Sequence, residues 1–194
     1  MTVPERPASA VQWARVFIHP ALGNGCVGVD ATAGNGQDTV FLADGVGPDG
    51  RVYSLDIQEE ALSKTNRLVS GRGMSERVKT ILAGHQHLDS LVAAPVDAVM
   101  FNLGYLPGGS RELVTAPDTT VAGIRAALSI VRPGGRISIV VYTGHPGALE
   151  ESLAVADLLY GLDEREFLVQ KMVFWNSSKE SPEIYFVTRA GENK

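Results

Sequence analysis

The fold of this 194-residue chain is decided by residues 27–39, VGVDATAGNGQDT. A short apolar run ends at Asp30, glycines follow at Gly34 and Gly36, and a helix-compatible stretch begins at Gln37. Glycines in such a turn permit positive φ and let a ligand approach the backbone. The stretch therefore predicts the first strand-to-helix turn of a ligand-binding α/β sheet.

Strand-like and helix-like stretches alternate on both sides of this turn. The predicted strands are Cys26–Thr32, Arg51–Asp56, Val78–Ala83, Val96–Asn102, Arg136–Tyr142, Glu166–Trp175 and Glu183–Arg189. The predicted helices are Ser9–Ile18, Gln37–Ala43, Gln58–Val69, Thr119–Val131 and Leu149–Tyr160. This order indicates a Rossmann-like, mostly parallel seven-stranded sheet with helices on both faces. The last two strands are separated only by residues 176–182, so we expect a C-terminal antiparallel hairpin.

Length and composition predict one domain over residues 1–194, with residues 1–20 as an N-terminal helical extension. The chain has no apolar run of about 20 residues and no recognisable targeting segment, so we expect a cytoplasmic protein. Its single cysteine, Cys26, excludes an internal disulfide and a cysteine-based zinc site.

The net charge of −5 argues against non-specific coating of nucleic acid, but a local basic patch could still hold one structured RNA. We expect such a patch beside Asn102. The basic residues considered for it are Arg67, Arg72, Arg77 and Lys79, which are clustered in sequence, and the dispersed Arg111, Arg125, Arg132 and Arg136.

An acidic residue after the second strand points to a nucleoside-containing cofactor. Asp56 lies about twenty residues beyond the glycine loop, where a carboxylate can accept hydrogen bonds from both ribose hydroxyls. Thr39 stands where dinucleotide-binding folds carry a third glycine, and the charge of Asp30 would oppose a pyrophosphate. The same charge favours the cationic groups of S-adenosylmethionine. We therefore expect this methyl donor, and keep a nicotinamide-dependent oxidoreductase as a less favoured alternative.

Asn102 follows the fourth strand, at the sheet edge where α/β proteins place ligands. Methyl transfer from a sulfonium is an in-line displacement that depends mostly on positioning. The side-chain oxygen of Asn102 and the carbonyl of Leu103 could accept the N–H groups of an amine and aim its lone pair. Tyr105 could stack on an RNA base. The stretch is similar to the Asn-Pro-Pro-Tyr motif of amino methyltransferases, with Leu-Gly in place of Pro-Pro.

Several longer stretches resemble one family. They are DATAGNGQDTVFLA at 30–43, DIQ at 56–58, MFNLGYLPGG at 100–109, TT at 119–120 and VYTGH at 141–145. Together they resemble the YtqB/MnmM-like class I methyltransferases, long labelled rRNA methylases, over nearly the whole chain. The resemblance implies a class I methyltransferase fold, S-adenosylmethionine as cofactor and a homodimer. It also implies methylation of 5-aminomethyluridine to 5-methylaminomethyluridine at the wobble position of the tRNA anticodon stem-loop.

These motifs and the glycine loop give the predicted site. The predicted catalytic residues are Asn102, Tyr105 and His145. The predicted cofactor-binding residues are Asp30, Thr32, Gly34, Asn35, Gly36, Asp38, Thr39, Asp56, Gln58, His85, Gln86 and Asn102. The predicted substrate-binding residues are Leu103, Gly104, Tyr105, Pro107, Gly108, Thr119, Thr120, Tyr142 and His145.

The sequence leaves the roles of the histidines open. His145 is a candidate base for removing a proton from an ammonium group, but it could equally contact RNA or cap a helix. His85 or Gln86 is expected to line an adenine pocket. His85 and His87 have no evident third ligand, so we expect no metal. The remaining alternatives are an rRNA or small-molecule amine methyltransferase and a non-catalytic S-adenosylmethionine-binding module.

Overall fold

The structure, a computed structural model, describes residues 9–93, 95–104, 115–144, 147–177 and 181–191. Its strands are β1 (Val27–Asp30), β2 (Arg51–Asp56), β3 (Val78–Leu82), β4 (Val96–Leu103), β5 (Val131–Val141), β6 (Phe167–Met172) and β7 (Glu183–Arg189). Its α-helices are α1 (Ala10–Ile18), α2 (Gln37–Val46), α3 (Glu59–Gly71), α4 (Leu88–Leu91), α5 (Pro117–Ile130) and α6 (Ala148–Tyr160). Short 3₁₀ turns occupy His19–Ala21, Ser75–Arg77 and His85–His87.

All seven strands form one sheet in the order β3-β2-β1-β4-β5-β7-β6. The first five strands are parallel, whereas β7 pairs antiparallel with both β5 and β6. This arrangement confirms the predicted mostly parallel sheet with a C-terminal antiparallel pair. Strand order reverses beside β1, whose neighbours are β2 and β4, and ligands of open α/β sheets bind at such a switch point.

The apolar faces of the helices cover the sheet on both sides. One buried cluster includes Phe101, Ile124 and Val155, and a second includes Leu42, Met100 and Ile184. Helix α1 contributes Ala14 and other residues to the second cluster, so the predicted N-terminal helix is an integral layer of the fold.

Ser9 begins α1 with a capping box. The Ser9 side chain accepts a hydrogen bond from the backbone of Gln12, and the Gln12 side chain accepts one from the backbone of Ser9.

The start of β5 differs from the prediction. The predicted helix ended at Val131 and the predicted strand began only at Arg136; Pro133-Gly134-Gly135 between them has the composition of a turn. Val131 instead pairs with Val96 in the sheet, and the register then shifts before Ala98 meets Arg136. A side chain at Gly135 would lie 2.6 Å from a Val131 methyl group, so glycine allows the chain to bulge without leaving the strand.

In the described ranges, no helix is long and apolar enough to cross a membrane.

Candidate active site

Three polar residues meet where neighbouring parallel strands end. Asp30 ends β1, Asp56 ends β2, and Asn102 lies next to the last residue of β4. Asp30 pairs in register with Ser54 and Met100, so Asp56 and Asn102 stand two residues beyond it on either side. The strand order therefore brings the predicted cofactor and acceptor residues to one edge of the sheet.

The glycine loop closes over the end of β2. Gly34 has a φ of 53°, and its N–H donates to Oδ2 of Asp56 over 2.9 Å. Oδ1 of Asp56 accepts a 2.9 Å bond from the N–H of Gln58, which precedes α3. The carboxylate therefore holds the loop and the start of α3 together, and it stays half-buried at the edge of the sheet.

Gly36 is required by packing. Its φ is 78°, and a Cβ there would lie 2.9 Å from the Cα of Thr65 on α3. We predicted that this glycine makes room for a ligand. The structure instead shows that it makes room for α3.

Asp30 has no exposed surface. Its carboxylate accepts bonds from the Thr39 hydroxyl over 2.6 Å and from the Thr32 N–H over 3.2 Å. Burial and the charge of Asp38 raise the pKa of Asp30 to about 7, with a smaller contribution from Asp56. Because Asp30 is buried, it could act on a bound cation through space, and its predicted direct contact with the cofactor stays a prediction.

Thr39 is also fully buried, and its hydroxyl joins Asp30 to the Ser54 hydroxyl, 2.7 Å away. The position where a dinucleotide fold carries glycine thus supports the buried carboxylate. The predicted contact of Thr39 with the cofactor stays a prediction.

Asp38 links two elements that sequence analysis did not connect. Its Oδ1 accepts a 2.6 Å bond from Nε of Arg15 on α1, and its Oδ2 accepts a 2.6 Å bond from Nδ2 of Asn102. Its side chain is only 7% exposed, so the predicted cofactor contact has almost no surface to use. We missed Arg15 because nothing in a nine-residue amphipathic helix marks one arginine as facing a distant motif.

Asn102 is held at both its backbone and its side chain. Its N–H donates to Oγ1 of Thr32 over 2.8 Å, while Nδ2 donates to Asp38. An ionised carboxylate only accepts hydrogen bonds, so the amide nitrogen must face Asp38 and the oxygen must face away. That oxygen, Oδ1, is buried and has no hydrogen-bond partner among the described residues. A buried acceptor without a donor costs about 1–3 kcal/mol, which a ligand N–H would relieve.

The residues after Asn102 shape the same edge. The Leu103 carbonyl, a predicted acceptor for the substrate, already accepts a 3.0 Å bond from the N–H of Tyr142. Gly104 has a φ of 150°, and a Cβ there would lie 3.3 Å from the Cβ of Tyr142. Tyr142 itself is 37% exposed, which places an aromatic side chain at this edge.

A buried carboxylate anchors Thr115 beside Gly104. The N–H of Thr115 donates to the Gly104 carbonyl over 3.0 Å, and its hydroxyl donates to Glu151 over 2.8 Å. The Thr120 hydroxyl also donates to Glu151, which is fully buried on α6. Thr120 has no exposed surface, and its predicted contact with substrate stays a prediction. Thr119 is half-buried, and its hydroxyl donates to the Ala116 carbonyl.

His85 packs between β4 and α5. Its imidazole meets the edge of the Phe101 ring, and a Cβ at Gly123 would be 2.5 Å from its Cδ2. Burial lowers the pKa of His85 to about 4, so the ring is neutral at pH 7. Its Nε2 is buried without a partner in the part of the chain that the structure describes. With 8% exposure, His85 is mainly a packing residue, whereas half-buried Gln86 and exposed Asn35 have surface available.

Four predicted site residues, Tyr105, Pro107, Gly108 and His145, lie outside the described residues. Within the described ranges, no group of three His, Cys, Asp or Glu side chains could hold a metal ion.

The expected basic patch is wrong for most of its described members. Arg132 and Arg136 lie in the first half of β5, and Arg77 and Lys79 lie at the start of β3. Parallel strands share one direction, so these residues lie toward the edge opposite Asn102. Arg132 pairs with Asp97, and Arg136 donates to the Phe17 carbonyl over 2.6 Å. Arg132 and Arg136 therefore make contacts within the fold.

The family described as "Putative rRNA methylase" matches residues 52–188. The chloroplastic tRNA (mnm(5)s(2)U34)-methyltransferase of Arabidopsis thaliana is 38% identical over 177 residues, which are 86% of this chain and 65% of that protein. The tRNA 5-carboxymethoxyuridine methyltransferase of Escherichia coli K12 is 24% identical over 132 residues, 68% of this chain and 46% of that protein. This chain thus spans less than two thirds of the length of either relative.

One solved structure is similar to this chain in both fold and sequence. SMU.1697c, a "putative methyltransferase" from Streptococcus mutans solved in complex with SAH, is 33% identical to this chain. The TM-score is 0.86, and the match covers 95% of this chain and 99% of that one.

Proposed function

We infer that this chain, which belongs to the family described as "Putative rRNA methylase", is an S-adenosylmethionine-dependent methyltransferase that modifies an amine on RNA. The proposed acceptor is 5-aminomethyluridine at the wobble position of tRNA, and the proposed product is 5-methylaminomethyluridine. The observation that carries this proposal is the Asn102 amide, whose unpartnered oxygen lies at the same sheet edge as Asp56 and the glycine loop.

The residues at this edge fit the cofactor. Asp56 would hold the ribose hydroxyls, and the loop around Gly34 would face the methionine part. Asp56 is half-buried at this edge, and its carboxylate favours a cationic ligand over a pyrophosphate, whereas Asp38 is already paired with Arg15. When bound, S-adenosylmethionine supplies a methyl group on a positively charged sulfonium. The SAH-bound relative from S. mutans supports this choice.

Asn102 would orient the acceptor. Its Oδ1 would accept an N–H of the amine and so aim the nitrogen lone pair toward the methyl carbon. The Leu103 carbonyl, the predicted second acceptor, belongs to a residue with no exposed surface and already accepts the Tyr142 N–H, so its contact with the amine stays a prediction. His145 stays a proposed base and Tyr105 a proposed stacking residue.

The same amide discriminates between two acceptors named by the relatives. One curated relative is named for a carboxymethoxy uridine and the other for a methylaminomethyl uridine. A carboxylate has no hydrogen to donate to Oδ1 of Asn102 and would approach the charge of Asp38. An amine offers donors and tolerates a nearby anion. The geometry at Asn102 therefore favours the amine.

An RNA acceptor is supported by the names of the relatives and by one exposed aromatic side chain. Tyr142 at the site edge could stack on an unpaired base. The family description names rRNA, so rRNA stays the second candidate.

Mass spectrometry of nucleosides tests the proposal. The protein and methyl-deuterated S-adenosylmethionine are incubated with tRNA bearing 5-aminomethyluridine, tRNA bearing 5-carboxymethoxyuridine, or ribosomal RNA. We expect deuterated 5-methylaminomethyluridine from the first substrate and no labelled nucleoside from the other two. Label in the carboxymethoxy nucleoside or only in rRNA would contradict the proposal.

A further inference from the structure

We propose that Asp38 is a positioning residue that sets the orientation of the Asn102 amide, and that Arg15 of α1 holds Asp38 in place. This inference rests on the proposed function, because it explains how Asn102 comes to present an acceptor atom to the substrate. It assigns Asp38 to the acceptor half of the site, although its sequence position suggested the cofactor half.

Both oxygens of Asp38 are already used. Oδ1 takes the Arg15 bond and Oδ2 takes the Asn102 bond, each 2.6 Å long, and the side chain is only 7% exposed. Bonds to charged groups are the stronger class, so this pair of contacts fixes the carboxylate. Little of Asp38 is left to contact a cofactor.

The direction of the hydrogen bond between Asn102 and Asp38 determines which amide atom of Asn102 is left without a partner among the described residues. Rotation of the amide by half a turn would place Oδ1 against Oδ2 of Asp38, and two acceptors repel each other. The Thr32 hydroxyl meanwhile accepts the N–H of Asn102 over 2.8 Å and fixes the backbone. Asn102 is therefore held in one orientation, with its buried Oδ1 turned away from Asp38.

Arg15 extends this chain of contacts to the N-terminal helix. Its side chain is 23% exposed and its guanidinium lies 5.6 Å from the centre of the Phe41 ring on α2. Helix α1 is anchored by its own buried residues against β4, β5 and β7. Arg15 therefore extends from a helix that is packed against the sheet. Helix α1 thus contributes a residue to the proposed site.

Asp38→Asn is the informative variant because it keeps the size of the side chain. An amide at this position has one oxygen for two donors, Arg15 and Asn102, so one of them must lose its bond and the Asn102 amide can turn. We expect the single-turnover rate of methyl transfer to the amine to fall about 10- to 100-fold, as misplacement of a reacting group does. S-adenosylmethionine affinity should change less than about twofold. Asp44→Asn, an exposed carboxylate on the same helix, is the matched control and should react like the wild type.

A double-mutant cycle distinguishes action through Asn102 from a separate role. In the Asn102→Ala background, Asp38→Asn should have almost no further effect on the rate. Multiplicative losses, or an Asp38→Asn variant whose main defect is S-adenosylmethionine affinity, would overturn the proposal.

An NMR measurement keeps this test apart from the proposed function. One side-chain amide proton of Asn102, identified by its loss in Asn102→Ala, should be shifted downfield in the wild type and should lose that shift in Asp38→Asn. An unshifted wild-type proton would overturn the relay whatever the enzyme methylates. A shifted proton in an enzyme that does not methylate the amine would leave the relay standing and reject the proposed acceptor.

Discussion

The side-chain nitrogen of Asn102 lies 2.6 Å from Oδ2 of Asp38, so the end of β4 is joined to the first turn of α2. The bond spans 64 residues of sequence and connects the acceptor motif to the glycine-loop helix. One hydrogen bond thus connects the two halves of the proposed site.

Asp56 gives a prediction about the cofactor. Asp56→Ala should greatly weaken S-adenosylmethionine binding, because it removes charge-assisted hydrogen bonds worth about 1.5–3 kcal/mol each. It also frees the N–H of Gly34, which loosens the loop. Titration calorimetry measures the affinity, with Asp44→Ala as the exposed control. Unchanged affinity in Asp56→Ala, or tighter binding of a nicotinamide dinucleotide by the wild type, would contradict the assignment.

Asp30 gives a pH dependence. Its pKa of about 7 in the free protein reflects burial and neighbouring carboxylates. A bound cation favours the ionised form and lowers this pKa, so binding should release a proton. Affinity for S-adenosylmethionine should therefore rise with pH toward 7, by at most about tenfold per unit for one proton, and level off above it.

Calorimetry in buffers of different ionisation enthalpy counts the released protons. In Asp30→Asn the proton release and the pH dependence should both disappear. Proton release that persists in Asp30→Asn would assign the effect to another group.

Much of the architecture was predictable because β-branched runs and glycine turns are local signals. Seven strands, their alternation with helices and the final hairpin follow from such patterns. The start of β5 was not predictable, because Pro133-Gly134-Gly135 has the composition of a turn and only the pairing of Val131 with Val96 makes it part of a strand. The short helix Leu88–Leu91 has too few residues to show a period.

Gly36 gives a prediction about stability. Gly36→Ala should lower the melting temperature, because alanine at positive φ costs about 1–2 kcal/mol and its Cβ would also collide with Thr65. Gly71→Ala is the matched control, since a Cβ there meets nothing within 4 Å. It should be neutral or stabilising by about 0.5–1 kcal/mol. Thermal unfolding followed by circular dichroism compares the two, and equal shifts would show that Gly36 is not packed as described.

Glu151 gives a prediction about the anchoring of Thr115 and Thr120. Glu151→Ala leaves the hydroxyls of Thr115 and Thr120 without their acceptor and should destabilise the protein by about 1.5–3 kcal/mol. Glu150→Ala changes an exposed neighbour in the same helical turn and should have little effect. Denaturant unfolding measures both variants. If the two lose equal stability, the buried carboxylate does not anchor Thr115.

The site was predictable only in part. Asp56 and Asn102 lie at or next to the end of a strand. They could be recognised because the apolar residues before them predict that strand. The buried support of the site could not, because Arg15 and Glu151 act through contacts between elements far apart in sequence. Burial also distinguishes threonines that the sequence motifs do not distinguish. Thr32 reaches the edge, whereas Thr39 and Thr120 lie inside the protein.

The central claim is that Asn102 orients an amine for methyl transfer. Single-turnover methylation of tRNA bearing 5-aminomethyluridine, at saturating S-adenosylmethionine, compares the wild type with Asn102→Ala. The account predicts a rate lower by about 100-fold, as for loss of alignment in the transition state, and nearly unchanged cofactor affinity. A variant that transfers the methyl group at the wild-type rate would show that Asn102 only ends a strand, and the account would be wrong.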